Sequence, residues 1–345
     1  MITYFITGWL QADSISIPVV GTRWSLRDRL DTFKVRMAIG RMSYGIKTGI
    51  YAVGHPDSMS RVFVTSNYKL SFDHLRAALD GLNAWILVID TKGINVWCAA
   101  GKKSFSDQEV VRQIRIHHLA NLVDHRELIL PQLSAPGVAA HEVKRLTGFK
   151  VIYGPVKAMD IKGFLEAGLK ATTGMRTVRF SMKDRIKLIP VDLFYAGYYL
   201  ILVPALIFIL SGLNPSGYSI DIAFSHGWKA IINLAAGYLT GCAITPVLLP
   251  FVPFRRFALK GLSLGLIVAF LLTTINMLGD NLLEILSWFL IIPSLSSFMA
   301  MNFTGSSTFT SLSGVQKEMK LMLPIQLIMV GLGLAGWIIS RFITI

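Results

Sequence analysis

The chain has 345 residues, 53% of them hydrophobic and 16% charged, and 34 Lys and Arg against 20 Asp and Glu give a net charge of +14. Its two cysteines exclude a self-contained iron–sulfur cluster, which takes four thiolates, and a structural zinc finger, which needs several Cys or His at set spacings. The positive charge gathers beside long apolar runs and shows no recurrent Arg/Lys–aromatic pattern, so nucleic acid is not expected as a partner.

Residues 1–60 are irregular and read as an N-terminal extension packed on a soluble domain. Within them "SLRDRLDTFKVRMAIGRM" suits a helix, basic on one side, that packs on the domain or lies near a membrane. The opening "MITYFITGWL" is too short to span a bilayer and lacks a basic n-region and cleavage site, so it is not read as a signal peptide. From 61 to 175 strand-like and helix-like patterns alternate. "RVFVTSN", "AWILVID", "RELILPQ" and "FKVIYGP" read as strands. "SFDHLRAALDG", "SDQEVVRQIRIHHLANL" and "GVAAHEVKRLTG" read as the helices between them, the second capped by Ser106 or Asp107. Such alternation predicts an open, mostly parallel α/β sheet. Ligands of these sheets bind outside the carboxyl ends of the strands. Thr65, Ser66 and Asn67, the Asp90–Cys98 stretch, "LPQLSAPG" at 130–137, and Gly154 with Pro155 would then share one edge.

A basic juxtamembrane linker, 176–190, precedes a membrane domain, 191–345. Five spans are expected: Leu193–Leu210, Ala230–Val252, Phe257–Leu278, Leu282–Met301 and Met322–Ile343. Arg and Lys cluster before the first, between the second and third, and before the fifth. The positive-inside rule therefore puts the soluble domain in the cytoplasm and the C-terminus outside an inner membrane.

One cysteine lies in "NVWCAAGK", Asn95–Lys102, after the strand "AWILVID". With Asn95 as N-cap, Cys98 falls at the third helical position, where unpaired amides favour an anion and hence a thiolate. Lys102, four residues on, shares that helical face. Ala99, Ala100 and Gly101 leave little beyond backbone, which would let a broad planar ligand carrying a metal come close. The same residues suit a buried structural cysteine whose small neighbours serve helix–sheet packing, and local physics leaves both readings open.

At every position Asn95–Lys102 resembles the N-[VI]-W-C-A-[AS]-G-K motif of the corrinoid protein of microbial mercury methylation. "VFVTSNYKLSFDHLRAAL", "WILVIDTKGINVWCAAGK" and "ELILPQLSAPGVAAHEVKRLTGFKVIYGPV" resemble that family's corrinoid-binding domain, and the apolar tail with "NFTGSSTFTSLSGV" resembles its membrane domain. The soluble part is also similar to the large subunit of the corrinoid iron–sulfur protein of acetyl-CoA synthesis. That relative carries a cluster domain absent from this sequence, and it has no cysteine at the position of Cys98. The resemblance implies an α/β Rossmann-like corrinoid-binding domain followed by an all-α five-helix transmembrane domain. It implies a cobamide with Cys98 as lower axial ligand of cobalt, no iron–sulfur cluster in this chain, and a cap helix of Asn95, Val96, Trp97, Cys98, Ala99, Ala100, Gly101 and Lys102. Thr65, Ser66 and Asn67, with the 130–137 turn and Gly154 and Pro155, would hold the corrin or its nucleotide tail. The activity implied is methyl transfer to Hg(II), making methylmercury. A folate-type methyltransferase would donate the methyl group, and a small partner ferredoxin with two [4Fe–4S] clusters would return electrons. The alternative is a membrane-anchored corrinoid methyl carrier of one-carbon and acetyl-CoA metabolism.

Other features read as structural. Cys242 sits among small residues of the second span, as helix packing requires. His117 and His118 face different directions on a helix, and His55, His125 and His141 are scattered. Asp280 and Glu284 flank the fourth span as anchors or caps. A transporter is disfavoured by the want of an internal repeat or an intramembrane charge pathway.

Overall fold

The computed structural model describes residues 2–12, 15–303 and 312–343. Most of the Ser/Thr/Gly-rich segment 302–314 lies outside them. The chain divides into two units, Met1–Val35 with Ile39–Arg179, and Arg36–Ala38 with Phe180–Ile345.

The first unit is an α/β domain. Its strands are β1 (Ile6–Ala12), β2 (Ile15–Val20), β3 (Gly49–Val53), β4 (Val62–Ser66), β5 (Ala84–Ile89), β6 (Glu127–Leu130) and β7 (Lys150–Tyr153). They form one sheet in the order β1-β2-β3-β5-β4-β6-β7. The strands β5, β4, β6 and β7 are parallel, as expected of the crossover pattern, whereas β3 runs antiparallel to β5 and β1 antiparallel to β2. Every residue of β4 and β5 is buried, which is why both read as continuous apolar runs rather than alternating ones. Residues 1–60, expected as an extension packed on the domain, instead supply three strands of the sheet itself.

Helices cover both faces. They are α1 (Leu26–Arg36), α2 (Lys69–Ala78), α3 (Val96–Gly101), α4 (Asp107–Ile116), α5 (Leu119–Leu122), α6 (Ala140–Thr147), α7 (Ile161–Glu166) and α8 (Thr173–Arg176). Val62, Val64, Leu87 and Ile89 pack with Val96, Ala99 and Ala100 of α3, Val110 and Ile114 of α4, and Val143 of α6. Phe63, Ile86 and Val88, of opposite parity, pack with Phe72 and Leu75 of α2 and with Ile161 and Phe164 of α7. The expected helix 106–122 is two helices, because His118 takes a left-handed backbone (φ 47°) between α4 and α5.

Four charged residues sit inside this unit, each no more than 1% exposed: Asp28 of α1, and Lys69, Asp73 and Arg76 of α2. Lys69 Nζ lies 2.8 Å from Asp28 Oδ1 and 2.5 Å from Asp73 Oδ2. Arg76 lies 2.7 Å from Asp73 and 2.9 Å from Asp28, and it also donates to the carbonyl of Gly21. Burial alone would raise the Asp28 carboxyl. Hydrogen bonds from Lys69 and Ser25 outweigh it and hold the carboxyl well below the usual carboxylate range.

The second unit is helical. After α9 (Met182–Ile186), α10 (Ile189–Tyr195) and α11 (Tyr199–Leu210) come α12 (Ile220–Leu239), a π-helical turn (Thr240–Ile244), α13 (Thr245–Leu248), α14 (Phe257–Thr274), α15 (Leu282–Asn302) and α16 (Leu312–Ser340). Among the described residues, four helices are long and apolar enough to cross a membrane: Ile220–Leu248, Phe257–Thr274, Leu282–Asn302 and Gly314–Ser340. The expected first span, Leu193–Leu210, is a bent pair, with Met182–Tyr195 and Tyr199–Leu210 meeting at 57°, and counting it as one gives five. The expected second span starts earlier, at Ile220. Close helix contact explains the small residues here. A Cβ on Gly241 or Gly261 would come within 2.6 Å of α15, at Ser296 or Ala300, so the π-helical turn after α12 and the helix α14 both meet α15 nearly backbone to backbone.

Removing one partner from the buried charge cluster strands the others without compensation, at a cost of about 3–5 kcal/mol. Asp28→Asn in the full-length protein should raise amide hydrogen exchange in α2 at least about a hundredfold. Unchanged exchange would show that the cluster contributes nothing to stability. Because the Asp28 carboxyl is depressed on folding, its contribution holds in full above the ordinary carboxylate range of about pH 4 and is lost as pH falls below it. A urea midpoint that is flat from neutral pH to about pH 5 and then drops, with a smaller drop in Asp28→Asn, checks this sign.

Candidate functional site

The carboxyl ends of β4, β5, β6 and β7 meet at one edge, as expected of parallel strands. Asn67, just beyond β4, organises it. Its side-chain oxygen accepts hydrogen bonds from the Thr91 amide (3.1 Å), the Thr91 hydroxyl (2.9 Å) and the Gly93 amide (3.0 Å), and its amide nitrogen donates to Asp90 (3.1 Å). Asp90 in turn accepts from the Lys92 amide, 2.9 Å away. The Asp90 amide donates to Glu109 of α4 at 3.0 Å. Burial would raise the Glu109 carboxyl, but hydrogen bonds from Arg112, Gln113 and that amide hold it below its ordinary value. These bonds fix the turn between β5 and α3.

The helix α3 then begins as the spacing predicts. Asn95 is its N-cap, and the Asn95 side-chain oxygen accepts from the Cys98 amide at 2.9 Å. Val96, Ala99 and Ala100 are buried against the sheet. The open face carries Trp97 and Cys98, both half-buried, with Gly101 and Lys102 exposed. Cys98 is a free, half-buried thiol, so it is not the fully buried structural cysteine of the alternative reading. The row of small residues divides: Ala99 and Ala100 serve packing, and Gly101 alone leaves the surface beside Cys98 bare. A Cβ on Gly137, in the expected 130–137 turn, would fall 2.9 Å from Ala100 Cα and closer still to the carbonyl of Phe105. Glycine there lets that turn press against α3.

The remaining expected contacts are less accessible. Thr65 and Ser66 are buried in β4. By alternation Thr65 points to the α2 and α7 layer, and Ser66 to the layer that holds α3. The Ser66 hydroxyl is buried with no hydrogen-bond partner among the described residues. Gly154 and Pro155 are buried, and the Gly154 amide donates to the Leu130 carbonyl at 2.8 Å. Asn67 spends its side chain on the Asp90–Gly93 turn. Thr65, Gly154 and Pro155 thus shape the edge from beneath. Asp90, Thr91 and Gly137 fell in stretches expected at the ligand edge, the 130–137 turn among the corrin contacts, and Glu109 marked only a helix start; the bonds that tie Asp90, Thr91 and Glu109 to the Asn67 turn were not foreseen. The Asp-Thr-Lys-Gly run after an apolar strand was the available signal, since Asp before Gly commonly builds such turns.

A groove of about 930 Å³ lies elsewhere, lined by Ile6, Trp9, Ile50, Tyr51 and His117 among others, and takes in none of these residues. Residues at the edge fit the cobamide that the resemblance implies. A corrin brings its own equatorial nitrogens, so the protein need offer one axial donor. Cys98 is an outward donor of that kind, on a helix face kept low by Gly101. No three His, Cys, Asp or Glu converge as a metal site among the described residues.

A doubly wound α/β domain with a half-buried cysteine at the carboxyl edge of its parallel strands is the class that fold and site define. Residues 40–165 match the family model described as CO dehydrogenase/acetyl-CoA synthase delta subunit. The acetyl-CoA decarbonylase/synthase complex subunit gamma of Archaeoglobus fulgidus is 32% identical over 123 residues, 35% of this chain and 26% of that one. The subunit of the same name from Methanopyrus kandleri is 30% identical over 123 residues, and that from Methanocaldococcus jannaschii 28% over 127. This chain spans about a quarter of the length of the curated relatives it matches. The matched stretch takes in β3 to β7, the Asn67 turn and Cys98, all within the first unit.

Asn67→Ala leaves the Thr91 and Gly93 amides short of an acceptor, costing about 1–3 kcal/mol locally. Amide exchange should rise across Thr91–Cys98 while Leu87 and Val88 of β5 stay protected. Equal loosening of both segments would mean that Asn67 supports the sheet rather than the turn.

Proposed function

We propose that this chain is a membrane-anchored corrinoid methyltransferase that methylates Hg(II). In this reading the cobamide-binding function belongs to the α/β region 61–175, and Cys98 is the lower axial ligand of cobalt. The observation that carries it is the outward Cys98 within the complete "NVWCAAGK" motif, at the ligand edge of a domain similar to subunits of acetyl-CoA decarbonylase/synthase.

A bound cobamide supplies a cobalt centre that carries a methyl group between donor and acceptor. The chain's residues do the rest. Asn95 caps α3 and fixes where the Cys98 thiol emerges. Gly101 keeps the adjoining surface low, Trp97 flanks it, and the Asn67 turn fixes the start of the helix. A thiolate is a soft, electron-rich donor. That character suits an acceptor such as Hg(II), which takes a methyl group together with its bonding electrons. Those electrons must be returned, and we assign that task to a small ferredoxin with two [4Fe–4S] clusters. The methyl group is assigned to a folate-type methyltransferase. The helices of the second unit, with Arg and Lys at alternate ends, support a multi-pass anchor in the inner membrane, with the α/β unit in the cytoplasm and the C-terminus outside.

A second reading is favoured by the names of the relatives, which belong to acetyl-CoA metabolism: a membrane-anchored corrinoid carrier that passes methyl groups within one-carbon chemistry. It shares the cofactor and differs in the acceptor.

The test has two parts. Purified full-length protein loaded with cobamide should show a thiolate–cobalt absorption band that Cys98→Ala loses while still retaining the cofactor. An unchanged spectrum would remove Cys98 as ligand. Cells expressing Cys98→Ala at wild-type level should lose methylmercury production by at least about two orders of magnitude, the scale on which loss of an essential group acts. Methyl transfer to an acetyl-CoA synthase partner, with no methylmercury formed by the wild type, would instead favour the carrier.

A further inference from the structure

The helix α1 is turned inside out. A surface helix ordinarily buries its apolar stripe and exposes its charges. In α1 the buried residues are Asp28, Thr32 and Val35, and the buried ion pairs of Asp28 with Lys69 and Arg76 hold the helix to its unit. At 3.6 residues per turn, Leu26, Leu30 and Phe33 fall on the opposite side, and all three are 60–79% exposed. Ile39 and Met42, just beyond the helix, are exposed as well. Arg27 and Lys34 line one flank of this stripe, and Arg29 and Arg36 line the other. Arg23 and Arg41 stand at the two ends. Asp28 is paired with its partners inside the unit and Asp31 accepts from the Tyr4 hydroxyl at 2.6 Å, so the outward face carries mainly positive charge.

An apolar stripe between two basic rails matches a bilayer surface rich in anionic lipid. The apolar side chains enter the acyl boundary, and the cations meet headgroup phosphates. We propose that α1 is an interfacial helix that lays the α/β unit on an anionic membrane surface through Leu26, Leu30 and Phe33. The inference rests on the reading that the apolar helices of the same chain are in a membrane.

Full-length protein carrying Leu30→Cys in a Cys98→Ser background, spin-labelled and reconstituted in nanodiscs of phosphatidylcholine with phosphatidylglycerol, tests it. The label should be more accessible to oxygen than to a polar nickel complex. The reverse should hold for a label at Arg145→Cys, on an exposed part of α6. Replacing Arg27, Arg29 and Lys34 by Gln, or omitting phosphatidylglycerol, should lower the oxygen preference at Leu30. A Leu30 label open to the nickel complex, or shielded from both reagents as in a protein interface, overturns the proposal, provided that the chain resists carbonate extraction from membranes. A chain that carbonate extracts overturns the membrane reading first, and this inference with it.

Discussion

The Asn67 carboxamide takes three donors on one oxygen and gives its own hydrogen to Asp90. Through it the end of β4 dictates the path of the chain leaving β5, which is where α3 must start. A six-residue helix cannot hold its own direction, because helix nucleation is costly and few bonds repay it. The direction of α3 is therefore borrowed from its surroundings: the Asn67 turn at its start, the sheet under Ala99 and Ala100, and the 130–137 turn pressing on it at Gly137. The outward bearing of Cys98 follows from those three supports.

The same supports separate the two kinds of residue that a motif mixes together. Within "NVWCAAGK" the valine and both alanines look inward and belong to the fold, while tryptophan, cysteine, glycine and lysine look outward.

Much of the α/β unit was legible. Continuous apolar runs marked β4 and β5, Ser106 marked the start of α4, and Asn95 marked that of α3. What escaped has physical causes. The strands β1, at the sheet's edge, and β2, next to it, carry Gly8 and Pro18, and β2 meets β3 through one residue pair, Val19 with Ala52, so no strong alternation marks them. The break at His118 depends on a left-handed backbone that no glycine announced. In α1 the face with Asp28 and Thr32 turns in and the apolar Leu26, Leu30 and Phe33 turn out, so periodicity alone gives the wrong inner face. The inward turn of Ala99 and Ala100 was equally hidden, since alanine suits a ligand surface and a packed one alike.

The cluster of Asp28, Lys69, Asp73 and Arg76 also sets an order of assembly. Asp28 sits about forty residues ahead of its partners in the sequence, and α1 has almost no apolar inner surface with which to dock before they arrive. A chain emerging from the ribosome must hold residues 23–36 in solvent until α2 is out and its two cations are in position. For that interval the apolar stripe of α1 is exposed on a segment that has nowhere to fold, the circumstance in which a chaperone or a nearby bilayer would first take hold of it.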